Sequence, residues 1–224
     1  LKVIVEAVRQ GRVIADTIRK VIYFLLATSM QEMCTISLAI FSSLPLPLTA
    51  IQILWINLVA GGALDKTFAF MKEEGNVMQR APKRSRHKFF DARQIGNILY
   101  YGLGVGLYVF LQYFLLLKKG EPLADASAIT FTSVAMAQWA NGIQAQKERE
   151  PFFKGIGRSF SINPTLYLGL LIGVVLQLFV VYAIPEVFQT RSLALNEWIY
   201  PIGTFLFSFG WVELGKWVER VSRK

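Results

Sequence analysis

The chain has 224 residues, 54% of them hydrophobic and 17% charged, with a formal net charge of +9 and a mean hydropathy of +0.42. Soluble domains run at roughly 45–50% apolar and about 25% charged, so a soluble globular domain is excluded. A nucleic-acid binder gathers its basic residues into a patch or stripe. Here they sit between long apolar blocks, the pattern of a multi-span membrane protein whose basic loops stay on one side, and no nucleic-acid partner is expected.

The first twenty residues, LKVIVEAVRQGRVIADTIRK, carry Val5, Val8, Ile14 and Ile18 among charges and contain no proline. They lack the layout of a signal peptide and predict a helix that runs straight into the first span, a stalk projecting from the bilayer. Without an initiator Met, an internal start is expected, either a fragment or a cleaved piece. An exposed stalk also calls for something to dock on.

A helix needs about 20 apolar residues to cross the bilayer. Six such spans are expected: Val21–Phe41, Thr49–Phe70, Gln94–Leu117, Ala126–Gln144, Pro164–Ile184 and Leu195–Leu214. Pro45 and Pro47 force a tight turn between the first two. The fold class expected is therefore all-α, a polytopic bundle of three hairpins, with 1–20 as stalk, 21–214 as the membrane domain and 215–224 as a basic tail. Segment 1–20, the loops 71–93 and 145–163 and the tail hold 20 Lys and Arg, the opposite loops only Lys118, Lys119 and Arg191. The positive-inside rule then places both termini in the cytoplasm. Trp198, Tyr200, Trp211 and Trp217 fall near the ends of the last span, where amphipathic rings prefer the interface. Cys34 lies inside an apolar block and reads as a small buried hydrophobe.

The polar residues within the spans carry the functional question. Glu32 lies near the middle of the first span beside Thr28, Ser29 and Gln31. A carboxylate there costs about 2.5–3.5 kcal/mol and calls for a proton, a cation or a hydrogen-bonded partner. It reads either as a protonated link between helices or as an ion-path residue, and its polar neighbours favour the second. Ser29, three residues earlier, shares its helix side. Asn57 in the second span is a ligand for a hard cation or an interhelical hydrogen bonder, and position alone leaves both open. Gln138 and Asn141, three apart, share one face of the fourth span. From the residues alone they read as bundle glue. Gly61 and Gly62 permit the second span to unwind locally. Lys66 snorkels, and Asp65 sits at the solvated end of the span. Asp65-Lys66-Thr67 copies the start of DKTG, the phosphorylation motif of P-type ATPases, but Phe68 follows and the setting is a membrane helix. It is a decoy.

Several ordered segments resemble one family. IVEAVRQGRVIADTIRKVIYFLLATS, PLPLTAIQILWINLV, VMQRAPKR, VVYAIPEVFQTRSLALNEW and the closing WVELGKWVER are similar, at matching spacing, to the C-terminal membrane region of P-type cation-transporting ATPases, the group of calcium and sodium–potassium pumps. The resemblance implies the last six of ten membrane helices. It implies an ion-coordinating carboxylate at Glu32, an asparagine ligand at Asn57, and weaker stand-ins at Ser29 and Gln138 for an asparagine and an acidic ligand. Metal binding thus falls on Glu32 and Asn57. Leu1–Lys20 corresponds to the stalk that relays movement of the phosphorylation domain. The family signature LLWVNLVTD is broken where Ala60-Gly61 replaces Thr-Asp, the aspartate that bridges two calcium ions in calcium pumps. Cation affinity follows ligand charge, so a monovalent ion, a proton or no ion is expected rather than high-affinity calcium. These residues contain neither DKTG nor TGES, so ATP and magnesium are implied only for cytoplasmic domains outside them, and no ATPase activity is expected of this chain by itself. The implied partners are the lipid bilayer, the remaining N-terminal spans and cytoplasmic domains, and the transported cation or proton. The competing expectations are a non-transporting remnant or accessory subunit that keeps the fold, and a small independent channel or carrier. The lack of an internal repeat weighs against the last.

Overall fold

A computed structural model describes residues 2–71, 92–147 and 163–221, with the single residues Met78, Phe90 and Phe152. Most of the basic loops 71–93 and 145–163, VMQRAPKR among them, and residues 222–224 of the tail lie outside the described residues. Among those described there are six long helices and no strand. Four of them, Lys2–Phe41, Ala50–Phe70, Ala92–Lys118 and Pro164–Tyr182, are long and apolar enough to cross a membrane. The other two, Leu123–Ala145 and Ile199–Val221, are equally long but richer in polar and aromatic residues. The molecule is an all-α membrane bundle.

Helix α1 (Lys2–Phe41) is continuous, about 60 Å at 1.5 Å per residue. Its first half is largely exposed. Its second half buries Phe24, Ala27, Thr28, Gln31, Glu32, Thr35 and Ala39, the i, i+3, i+4 stripe of a packed helix. The helix stops where Ser43 takes a left-handed φ of 54° and Leu44 N donates back to Ala39 O at 3.0 Å, the closure of a Schellman cap. Helix α2 (Ala50–Phe70) begins with Gln52 reaching back to accept from Thr49 N at 3.0 Å.

Helix α2 is not uniform. It is α-helical over Ala50–Trp55, a π-helix over Ile56–Gly61, α-helical again over Gly62–Asp65, and 3-10 over Lys66–Phe70. The glycine pair was expected to permit local unwinding, and at this place the helix widens by one π turn, a device often found at functional sites.

Helices α3 (Ala92–Lys118) and α4 (Leu123–Ala145) form the second hairpin, turned at Gly120 with φ +85°. On α3, Gly102 and Gly106 face Met30 and Cys34 of α1, and Gly104 faces Trp211 of the last helix. Small residues let helices approach closely where lipid offers no hydrophobic drive. Helix α4 is the centre of the bundle. From Ala126 to Ala145 every residue but Met136 is buried, which is why it tolerates Thr130, Thr132, Ser133, Gln138 and Asn141.

Helix α5 (Pro164–Tyr182) starts at Asn163, whose side chain accepts from Leu166 N at 3.1 Å, a standard N-cap. A strap, residues 183–198, leads to α6 (Ile199–Val221). Helix α6 itself starts at Ile199, because Leu195–Trp198 is a 3-10 turn. It also runs beyond Leu214, so part of the expected tail is helix.

Candidate intramembrane cation site

Three helices bring one polar side chain each to the same point. Glu32 of α1 is 6% exposed. Its Oε2 accepts from Asn57 Nδ2 of α2 at 2.9 Å, and its Oε1 accepts from Gln138 Nε2 of α4 at 2.7 Å. Asn57 Nδ2 also donates to Ile53 O at 3.0 Å. Both carboxylate oxygens are thus held by amide donors, the arrangement that makes a buried carboxylate tolerable.

Position 61 shapes this contact. A Cβ on Gly61 would stand 2.7 Å from Gln138 Oε1, so Gln138 crosses into space that any other residue would fill. Gln138 is 1% exposed, and its Oε1 has no hydrogen-bond partner among the described residues. A buried carbonyl oxygen beside a carboxylate is a ready ligand for a hard cation. Gly62 lies against its own helix, with Asn57 O 3.2 Å from a Cβ there.

The cluster has a closed side and an open side. Gln138 and Glu32 are buried, whereas Asn57 and its neighbours Leu54 and Leu58 are exposed. Ser29, expected beside Glu32, is exposed as well. Its predecessor Thr28 takes the inward place and bonds its hydroxyl to Phe24 O at 3.0 Å. A three-residue step on a helix leaves 60° between side chains, which is enough to carry Ser29 off the buried stripe. The structure therefore brings together Glu32, Asn57 and Gln138 but not Ser29. Asn141 lies buried on α4, its Nδ2 unpartnered among the described residues. No group of three or more His, Cys, Asp or Glu gathers among the described residues.

Two supports of the site were not read from the sequence. Trp139 Nε1 donates to Ala60 O at 3.2 Å, and Trp55 Nε1 donates to Gln177 Oε1 of α5 at 3.0 Å. They hold the π segment of α2 on both sides of Asn57. A tryptophan within an apolar span is the signal that marks each.

The fold is a helical membrane bundle in which a carboxylate, an asparagine and a glutamine converge at a π turn. The family model described as "Cation transporting ATPase, C-terminus" matches residues 45–218, and the chain belongs to that family, as the membrane C-terminal region of a P-type cation ATPase. Among its relatives is a calcium-transporting ATPase of Bacillus subtilis, 33% identical over 206 residues, covering 88% of this chain and 22% of the relative. The human calcium-transporting ATPase type 2C member 1 is 26% identical over 223 residues, covering 99% of this chain and 24% of the relative. Calcium-transporting ATPase 1 of Schizosaccharomyces pombe is 27% identical over 221 residues, covering 97% and 24%. The chain spans about a quarter of the length of these relatives.

Proposed function

We propose that this chain is the transport-domain half of a P-type cation pump and supplies part of an intramembrane cation or proton site. Glu32 is the charge-bearing ligand or proton carrier, with Asn57 and Gln138 as neutral ligands. The observation that carries this reading is the three-helix convergence on Glu32, with an unpartnered Gln138 Oε1 beside it. The stalk, residues 1–20, couples the site to phosphorylation in domains outside this chain, where ATP and magnesium act. Lys20, at the point where the stalk enters the bundle, supports this coupling: it donates to Gln146 O at 3.3 Å, at the end of α4, the helix that carries Gln138. The bias of basic residues supports cytoplasmic placement of the stalk and tail.

The relatives are named as calcium transporters. In this chain Gly61 stands where the family has its bridging aspartate, and cation affinity follows ligand charge. A site with Glu32 as its carboxylate suits a monovalent cation or a proton. In the intact pump, Glu32→Gln is expected to abolish cation-dependent ATP hydrolysis while the protein still assembles in the membrane. Unchanged transport would remove Glu32 from the mechanism, and activation by micromolar calcium would overturn the ion assignment. The filled position beside Gly61 also favours a second reading, a membrane unit that keeps the fold without transporting. That reading expects no cation to alter phosphorylation of the intact protein by ATP.

A further inference from the structure

A groove of about 760 Å³ lies between α4, α5 and the strap, lined among others by Trp139, Val174, Gln177, Tyr182, Leu193 and Trp198. That volume falls within the roughly 300–1,000 Å³ typical of ligand sites. Leu178 and Leu195 belong both to its lining and to the exposed apolar surface, so it opens sideways onto lipid.

Its walls are apolar but for one amide. Gln177 is 1% exposed. Its Oε1 accepts from Trp55, which sets the orientation of the amide and leaves Nε2 a buried donor with no partner among the described residues. A buried donor without an acceptor is costly. The other polar groups nearby are engaged. Tyr182 Oη accepts from Trp198 Nε1 at 2.8 Å and donates to Leu193 O at 2.9 Å. The Arg191 guanidinium is held by Asp125, Glu197 and Ser192 O.

Depth identifies the acceptor. Tyr182 and Trp198 form an aromatic pair of the kind that sits at headgroup level. Gln177 lies inward of Tyr182 by about 7.5 Å along the helix, the level at which a glycerolipid carries its ester carbonyls. We propose that the groove is a glycerolipid site: one acyl chain occupies it, and the ester carbonyl of that chain accepts from Gln177 Nε2. The headgroup is not read, because the nearby cation, Arg191, is already neutralised. Two walls of the groove are bonded to α2 on either side of Asn57, Gln177 through Trp55 and Trp139 through Ala60 O. An occupied groove therefore braces the π segment. That consequence rests on the cation-site reading, whereas the lipid binding does not.

The test uses the full-length protein in phosphatidylcholine vesicles with a trace of ester-linked phosphatidylcholine carrying a mid-chain diazirine. Photolabelling is expected on residues 174–178 and 193–198. It should be about fivefold lower in ester-linked vesicles than in ether-linked ones, which compete without a carbonyl, the weight of one hydrogen bond. Val174→Trp fills the groove and removes this labelling while labelling on the lipid-facing side of α3 persists, which shows the bundle intact. Gln177→Leu keeps the labelling but erases the difference between ester and ether hosts. Equal labelling of the unsubstituted protein in the two hosts, or groove labelling that survives Val174→Trp, would overturn the proposal without touching the cation site.

Discussion

Gln138 reaches Glu32 because position 61 has no side chain, and this makes Gly61 a determinant of the site. The clashing atom, Oε1, is the far end of a flexible side chain. Gly61→Ala is therefore expected to push the amide off Glu32 rather than unfold the helix. In the intact protein it should reproduce the effect of Gln138→Ala on cation dependence, with a melting temperature in detergent close to that of the parent. Additive effects in the double variant would refute a shared cause, since residues acting through one contact do not add. Glu32, Asn57 and Gln138 were legible as polar residues inside apolar spans, and the resemblance gave them roles. That Glu32 is held at both oxygens was not legible, because a hydrogen bond across three helices has no sequence spacing. Ser29 shows the opposite limit: its spacing from Glu32 was right for one side of a helix, yet the buried stripe on α1 is too narrow to include it.

At the scale of elements, close approach of helices is what the glycines of α3 provide. A Cβ at Gly104 would lie 2.2 Å from Trp211 Nε1 and 2.4 Å from its Cε2. The ring is clamped, stacked on Tyr100 at 4.7 Å and donating Nε1 to Tyr100 O at 3.1 Å. Gly104→Val should cost about 1–3 kcal/mol by overpacking, read as a lower unfolding temperature, and Trp211→Ala in the same protein should recover part of it. An unchanged melting curve would mean that α3 and α6 do not meet here. The C-terminal end of α4 is capped by side chains from two distant elements: Lys20 donates to Gln146 O at 3.3 Å, and Lys216 to Gln144 O at 3.4 Å and Gln144 Oε1 at 2.6 Å. Cations suit the negative end of a helix by roughly 0.3–1 kcal/mol, and by more when partly buried. Lys20→Met should thus weaken coupling between stalk and bundle more than it lowers stability. The readout is cation-dependent ATP hydrolysis against melting temperature in the intact protein, and an equal fall in both would assign Lys20 a packing role alone. The six long helices, four of them apolar enough to cross a membrane, were legible from apolar length. The π turn was not, because the bonds that flank it, Trp139 Nε1 to Ala60 O and Trp55 Nε1 to Gln177 Oε1, are made with neighbouring helices.

For the molecule as a whole, Arg191 ties the strap to the start of α4. It joins Asp125 at the start of α4 to Glu197 before α6, and the strap between α5 and α6 is held by it. Hydrogen bonding to Arg191 keeps the Glu197 carboxyl below its ordinary value of 4.5. A depressed carboxyl stabilises the folded state above its unfolded value, and the contribution is lost as pH falls through the folded one. Melting temperature should therefore be insensitive to this clamp's titration near neutrality and fall below pH 4.5. Arg191→Met should lower it near neutral pH and flatten that acid-side fall. Parallel curves for the two proteins would show that the clamp does not govern the strap.

The amino-acid sequence by itself determined that this is a membrane protein, that it is all-α, and which family it belongs to. These follow from apolar length and ordered motifs, both of which are local. Tertiary structure alone decided that Glu32 meets Asn57 and Gln138 but not Ser29, that Gly61 makes room for a side chain 77 positions away, and that α2 bulges instead of breaking. Each of these depends on what a neighbouring helix places in a few cubic ångströms. In a medium without water the fold decides which polar atoms are partnered.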